Sequence, residues 1–175
     1  MTRRGLAAIA TGLLLGACQQ SPAAVCSDKT NIRGVQNLLE ELAIQKTRSN
    51  AEYMVSPKYD GTEVKTAVDN VGIDNILPIS DITVQDVDNQ TRKIVCEAKV
   101  HIKVPNDKKW SVISDYYALH DVTLDNGEAD IDVDYTIQPS ASGNGTIYHV
   151  MQGDKLANIV AIVGRRIYTN GSGNQ

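Results

Sequence analysis

Lys93-Ile94-Val95-Cys96-Glu97-Ala98-Lys99-Val100-His101-Ile102-Lys103-Val104 is the stretch that settles the fold class. Ile94, Cys96, Ala98, Val100, Ile102 and Val104 fall on one side of an extended chain, and Lys93, Glu97, Lys99, His101 and Lys103 on the other. Successive side chains of a strand point to opposite faces, so this period of two predicts a strand that is dry on one face and wet on the other. An antiparallel sheet covered on one side has that pattern. The same alternation puts Cys96 on the dry face, within reach of a helix packed there.

Working outward, the pattern repeats on both sides. Ile82 and Val84 alternate with Thr83 and Gln85 ahead of the polar turn Asp88-Asn89-Gln90. Beyond the strand, Pro105-Asn106-Asp107 ends it, and Trp110 to Leu124 fits neither a helical nor an extended period. In Asp130 to Gln138, Ile131, Val133, Tyr135 and Ile137 oppose Asp130, Asp132 and Asp134. If this strand neighbours residues 93 to 104, its aspartates face Lys99 and Lys103 across the ladder. Pro139 to Gly145 reads as a turn and Thr146 to Met151 as its hairpin partner.

The flanks are helical in period. Ile32, Val35, Leu39 and Leu42 recur at helical offsets with Leu38 widening the stripe, so a helix starts near Ser27, with Ser27 or Thr30 as cap and Asp28 at the positive end of its dipole. Ser49-Asn50, Ser56-Pro57 and Asp60-Gly61 predict a break in any long element. Val64, Ala67, Val68 and Val71 then make a short second stripe, and Pro78 stops regular structure before the sheet. At the end, Leu156, Ile159, Val160, Val163 and Ile167 with Asp154 as cap favour a helix, whereas their β-branching and Gly164 favour a strand; helix is the preferred reading. The expected architecture is α+β: N-terminal helices packed on a curved antiparallel β-sheet, with a C-terminal helix.

The first eighteen residues are of another kind. Arg3 and Arg4 precede an apolar run from Leu6 to Leu15, and Leu15-Gly16-Ala17-Cys18 closes it. The run is about ten residues, half of what a bilayer-crossing helix needs, and so reads as a signal peptide. Its last four residues resemble the lipobox of bacterial lipoproteins. The resemblance implies cleavage before Cys18, diacylglycerol on its sulfur, and anchoring by two or three acyl chains, since one chain holds only marginally. Gln19, in place of the aspartate that signals inner-membrane retention, implies the outer membrane with the domain in the periplasm. On this reading residues 1–17 are leader, 18–25 a tether, 26–168 one α+β domain, and 169–175 a disordered tail.

That assignment bears on the other cysteines. With Cys18 committed to lipid, Cys26 and Cys96 remain as a pair in an oxidising compartment and are expected to be bridged; the alternative is two unrelated thiols. The formal net charge of −4 becomes −6 once Arg3 and Arg4 leave with the leader. An acidic chain argues against nucleic acid as a partner.

Nothing in the spacing demands chemistry. Asp130-x-Asp132-x-Asp134 resembles the start of a calcium loop, but Tyr135 stands where the turn needs glycine and no glutamate closes it. His101, His120 and His149 are scattered, and a site gathering them with Asp115 or Asp121 is not required by their positions. No serine elbow, phosphate loop or HExxH motif occurs, and neither metal nor cofactor is expected. Trp110, Tyr116 and Tyr117 are the candidate binding aromatics. The order of helices followed by an antiparallel meander resembles cystatin-like and NTF2-like envelope domains. That likeness implies a small-ligand-binding or hydrolytic pocket between sheet and helices as the alternative to the leading expectation, a non-enzymatic lipoprotein that binds a protein partner as an envelope accessory, an inhibitor or an immunity protein.

Overall fold

The computed structural model describes residues 20–53, 61–103, 122–123, 125–126 and 128–172. At the N-terminal end the Ser21 hydroxyl accepts a hydrogen bond from the Ala24 N–H at 3.2 Å, and Pro22 opens a one-turn helix, α1 (Pro22–Cys26). Part of the expected tether is therefore helical. Proline breaks a helix interior, but at the first position its missing N–H would have had no partner anyway.

The long helix α2 (Lys29–Tyr53) is capped by neither Ser27 nor Thr30. Ser27 turns its hydroxyl back to the Ala23 carbonyl. Asp28 takes the role instead, its Oδ1 accepting from the N–H groups of Thr30 at 2.8 Å and Asn31 at 3.4 Å. Asp28→Ala is expected to destabilise the protein by about 1 kcal/mol, read as a lower urea midpoint at unchanged slope. The helix also runs through Ser49-Asn50, where a break was expected. Thr47 and Ser49 donate their hydroxyls to the carbonyls of Ala43 and Gln45, one turn back, which lets both sit inside a helix.

Gly61 precedes α3 (Thr62–Val71) with φ of 92°, a left-handed conformation. A Cβ there would lie 2.8 Å from the Ile44 side chain and 3.0 Å from its carbonyl oxygen, so both conformation and space call for glycine. A further short helix, α4 (Ile73–Ile76), carries the chain to Leu77 and Pro78, where the sheet begins.

Four antiparallel strands follow in spatial order: β1 (Ile79–Asp88), β2 (Lys93–Lys103), β3 (Glu128–Pro139) and β4 (Thr146–Val150). The β1–β2 turn is held by Asp88, which accepts from the Thr91 hydroxyl and from the N–H groups of Gln90 and Thr91. Those bonds, the Thr91 hydroxyl first, hold its carboxyl below the usual range. The C-terminal segment forms a helix, α5 (Gly153–Ser172), which extends into residues expected to be disordered. Its buried stripe of Leu156, Ala157, Val160, Val163 and Gly164 packs on α2 and α3, and this tertiary burial outweighs the β-branching. Gly164 allows the approach: a Cβ there would stand 3.4 Å from the Val64 Cα.

The architecture is thus α+β, with helices before the sheet and one after it. Cys96, Ala98, Val100 and Ile102 of β2 and Ile131, Val133, Tyr135 and Ile137 of β3 are buried in one core with Val35, Leu39, Val64 and Leu156 of the helices. Two bonds fasten the N-terminal turn to this core. Cys26 and Cys96 are joined as a disulfide with Cα atoms 5.8 Å apart, across 70 residues of sequence. Tyr135, the register partner of Cys96, donates its hydroxyl to the Cys26 carbonyl at 2.8 Å.

Candidate functional site

The helices occupy one face of the sheet, and the other face carries the charged residues of β2 and β3. Register decides how they meet. Lys99 stands opposite Asp132, as expected, but Lys103 is opposite Glu128 and not an aspartate. Asp130 pairs with His101 and Asp134 with Glu97, because the ladder is offset by two residues from the arrangement that would have given both lysines aspartate partners. Glu97 and Asp134 are like charges placed side by side, and Gln85 donates to the Glu97 carboxylate from β1 at 3.5 Å.

His101 is the most constrained group on this face. Its Nδ1 lies 2.8 Å from Asp130 Oδ1, and its Nε2 is 4.0 Å from Glu128 Oε2. An imidazole held in this way is oriented, but the ring and both carboxylates are solvent-exposed by roughly half, so the pairing adds well under 1 kcal/mol. No hydroxyl or thiol is bonded to it among the described residues. His149 does not join it: His149 is opposite Thr136, six positions along β3 from Asp130, or about 20 Å at the rise of a strand. His120, Asp115 and Asp121 lie outside the described residues, as do Cys18, Trp110, Tyr116 and Tyr117. Among the described residues no cluster of histidine, cysteine or carboxylate side chains could hold a metal ion.

A shallow polar cleft of about 260 Å³ opens beside β3 where β4 has ended, between Thr123, Asp130, Asp132, Gln152 and Lys155. It joins the acidic face. Tyr135, on the helix-facing side of β3, is 1% exposed. Compared with protein-family models, with curated proteins and with solved structures, the chain matches none. No helix among the described residues is long and apolar enough to cross a membrane.

Three features escape a reading of periodicity. Glu63 is buried, with Oε2 accepting from the Gly61 N–H at 3.2 Å and Oε1 without a partner among the described residues. Gln36 is buried in α2, donating to the Leu77 carbonyl. Ile147 and Met151 are exposed, both on the outward side of the β4 hairpin arm. Of these only the first had a signal, a carboxylate two residues after a helix-starting glycine.

Proposed function

We propose that the protein is a lipid-anchored envelope lipoprotein, held in the outer membrane through Cys18, whose non-enzymatic periplasmic domain binds a protein partner as an assembly accessory, an inhibitor or an immunity protein. The observation that carries this reading is the exposed sheet face, where Lys99, His101, Asp130, Asp132 and Asp134 form an ordered charged surface opposite the helix layer. A broad patterned face suits another protein, whose complementary charges set orientation and association rate. Small-molecule sites are by contrast concave and mostly apolar. The lipobox-like Leu15-Gly16-Ala17-Cys18 supports the anchor, and a disulfide accords with an oxidising compartment.

Both parts can be tested in cells. Cys18→Ser is expected to leave a larger, unprocessed precursor that no longer partitions into detergent; normal processing would refute the anchor. Cross-linking in intact envelopes should recover one specific protein with the wild type, and Asp132→Lys should cut that yield about tenfold while the domain stays folded. Repeated recovery of no specific partner would sink the binding role.

A further inference from the structure

The two edges of the sheet are built differently. An edge strand presents unpaired main-chain N–H and C=O groups that invite another strand, and proteins blunt such edges with charges and bulges. β1 has both. Its ladder is interrupted by two register shifts, Asp81 adopts φ of 50°, and Asp81, Asp86 and Asp88 carry carboxylates along it.

β4 has neither. It pairs with β3 without a shift, and its sequence Thr-Ile-Tyr-His-Val contains no carboxylate, lysine or arginine and is rich in strand formers. The Met151 N–H donates to the Asp134 carbonyl, which fixes the parity of the hairpin. Ile147, His149 and Met151 direct their main-chain groups to β3. Thr146, Tyr148 and Val150 direct theirs outward, where no main-chain partner exists among the described residues. The same strand and the residue after it expose Ile147 at 53% and Met151 at 64%.

We infer that β4 is a self-association edge, at which two copies of this chain pair antiparallel about a two-fold axis at Tyr148. Thr146 then meets the other copy's Val150, Tyr148 its equivalent, and Ile147 the other copy's His149. Charge selects a second copy as the occupant. In a chain of net charge −4 with an acidic β1 edge, β4 to β4 is the edge pairing that brings no carboxylate into the new ladder. Area also bears on the choice. A five-residue ladder alone falls short of the roughly 1,200 Å² of a stable interface. However, α2 lies over β4, with Asn31 and Gly34 against Tyr148, so the same axis brings α2 towards its equivalent and adds helix surface that includes the partly buried Leu38 and Leu42.

Sedimentation velocity of the full chain in detergent, over about a hundredfold range of concentration, tests this. The wild type should shift from monomer to dimer, and added salt should favour the dimer by screening the net negative charge of the two copies. Thr146→Pro, which removes an outward N–H, and Ile147→Lys with Met151→Lys should each weaken dimerisation at least about tenfold. At a concentration low enough that the wild type is monomeric, their thermal midpoints should match it, since these side chains are exposed and the lost N–H is not bonded to β3. A monomer at every concentration, or variants that associate as well as the wild type, would overturn the inference. The result is independent of the periplasmic partner, which the envelope cross-linking reads separately.

Discussion

Replacing Cys26 and Cys96 together by alanine is expected to lower the stability of the domain by roughly 4 kcal/mol, the chain-entropy value for a closed loop of this length. The bridge spans 70 residues, so the unfolded chain it constrains includes α2, α3, α4, β1 and the hairpin to β2. For a protein of this size the loss corresponds to a drop of roughly 10 °C in midpoint. Urea denaturation of the oxidised wild type and the double variant measures it directly. A difference below about 1 kcal/mol would show that residual structure already restrains the unfolded chain.

Tyr135→Ala should be comparably severe, at about 3–5 kcal/mol, because it empties one of the largest fully buried positions. Tyr135→Phe keeps the ring and loses only the hydrogen bond to Cys26, for about 1 kcal/mol. The two substitutions separate packing from polarity. Burial also pushes the Tyr135 hydroxyl up to about 12 from its ordinary value of 10. The folded protein therefore holds this proton more tightly than the unfolded chain does. Its contribution is complete below about pH 10 and is lost as pH rises to about 12, a fall of roughly 2–3 kcal/mol. Tyr135→Phe should remove that part of the alkaline decline, and denaturation at pH 8 and pH 11 compares the two proteins. Equal slopes in both would mean that the phenol titrates as it does in water. Both Tyr135 and Cys96 act on Cys26, so their losses should not add, and the shortfall measures their coupling.

The sheet was legible because burial on one face imprints a period of two, and Cys96 to Ile102 and Ile131 to Ile137 lie buried where alternation put them. Element ends were less legible. Ser27, Asp28 and Thr30 are all acceptable caps by residue type, and what chose Asp28 was the prior use of the Ser27 hydroxyl by Ala23, a bond that exists only once α1 has formed. Ser49 and Asn50 predict a break because such side chains compete for the backbone, yet in α2 the Ser49 hydroxyl satisfies itself one turn back. The wet face was visible in composition, but which charge meets which depends on the register between residues 25 to 37 positions apart in sequence, and local pattern carries no such information. The exposed Ile147 and Met151 look in sequence like any alternating strand residues; only the strand's position at the sheet edge gives them meaning.

The bridge between α1 and β2 also sets the route that mechanical load would take. A pull applied at the N-terminus reaches Cys26 after a single helical turn and passes through the sulfurs into β2, a central strand laddered on both sides. The load is then shared among the ladder bonds on both sides of β2, while the 69 residues between the cysteines bear no tension. Their contour length, about 240 Å if extended, stays locked away. With the sulfurs reduced, the same force would unwind α2 from its end turn by turn. Oxidation thus decides whether the domain answers a tug as a rigid body or as a yielding spring.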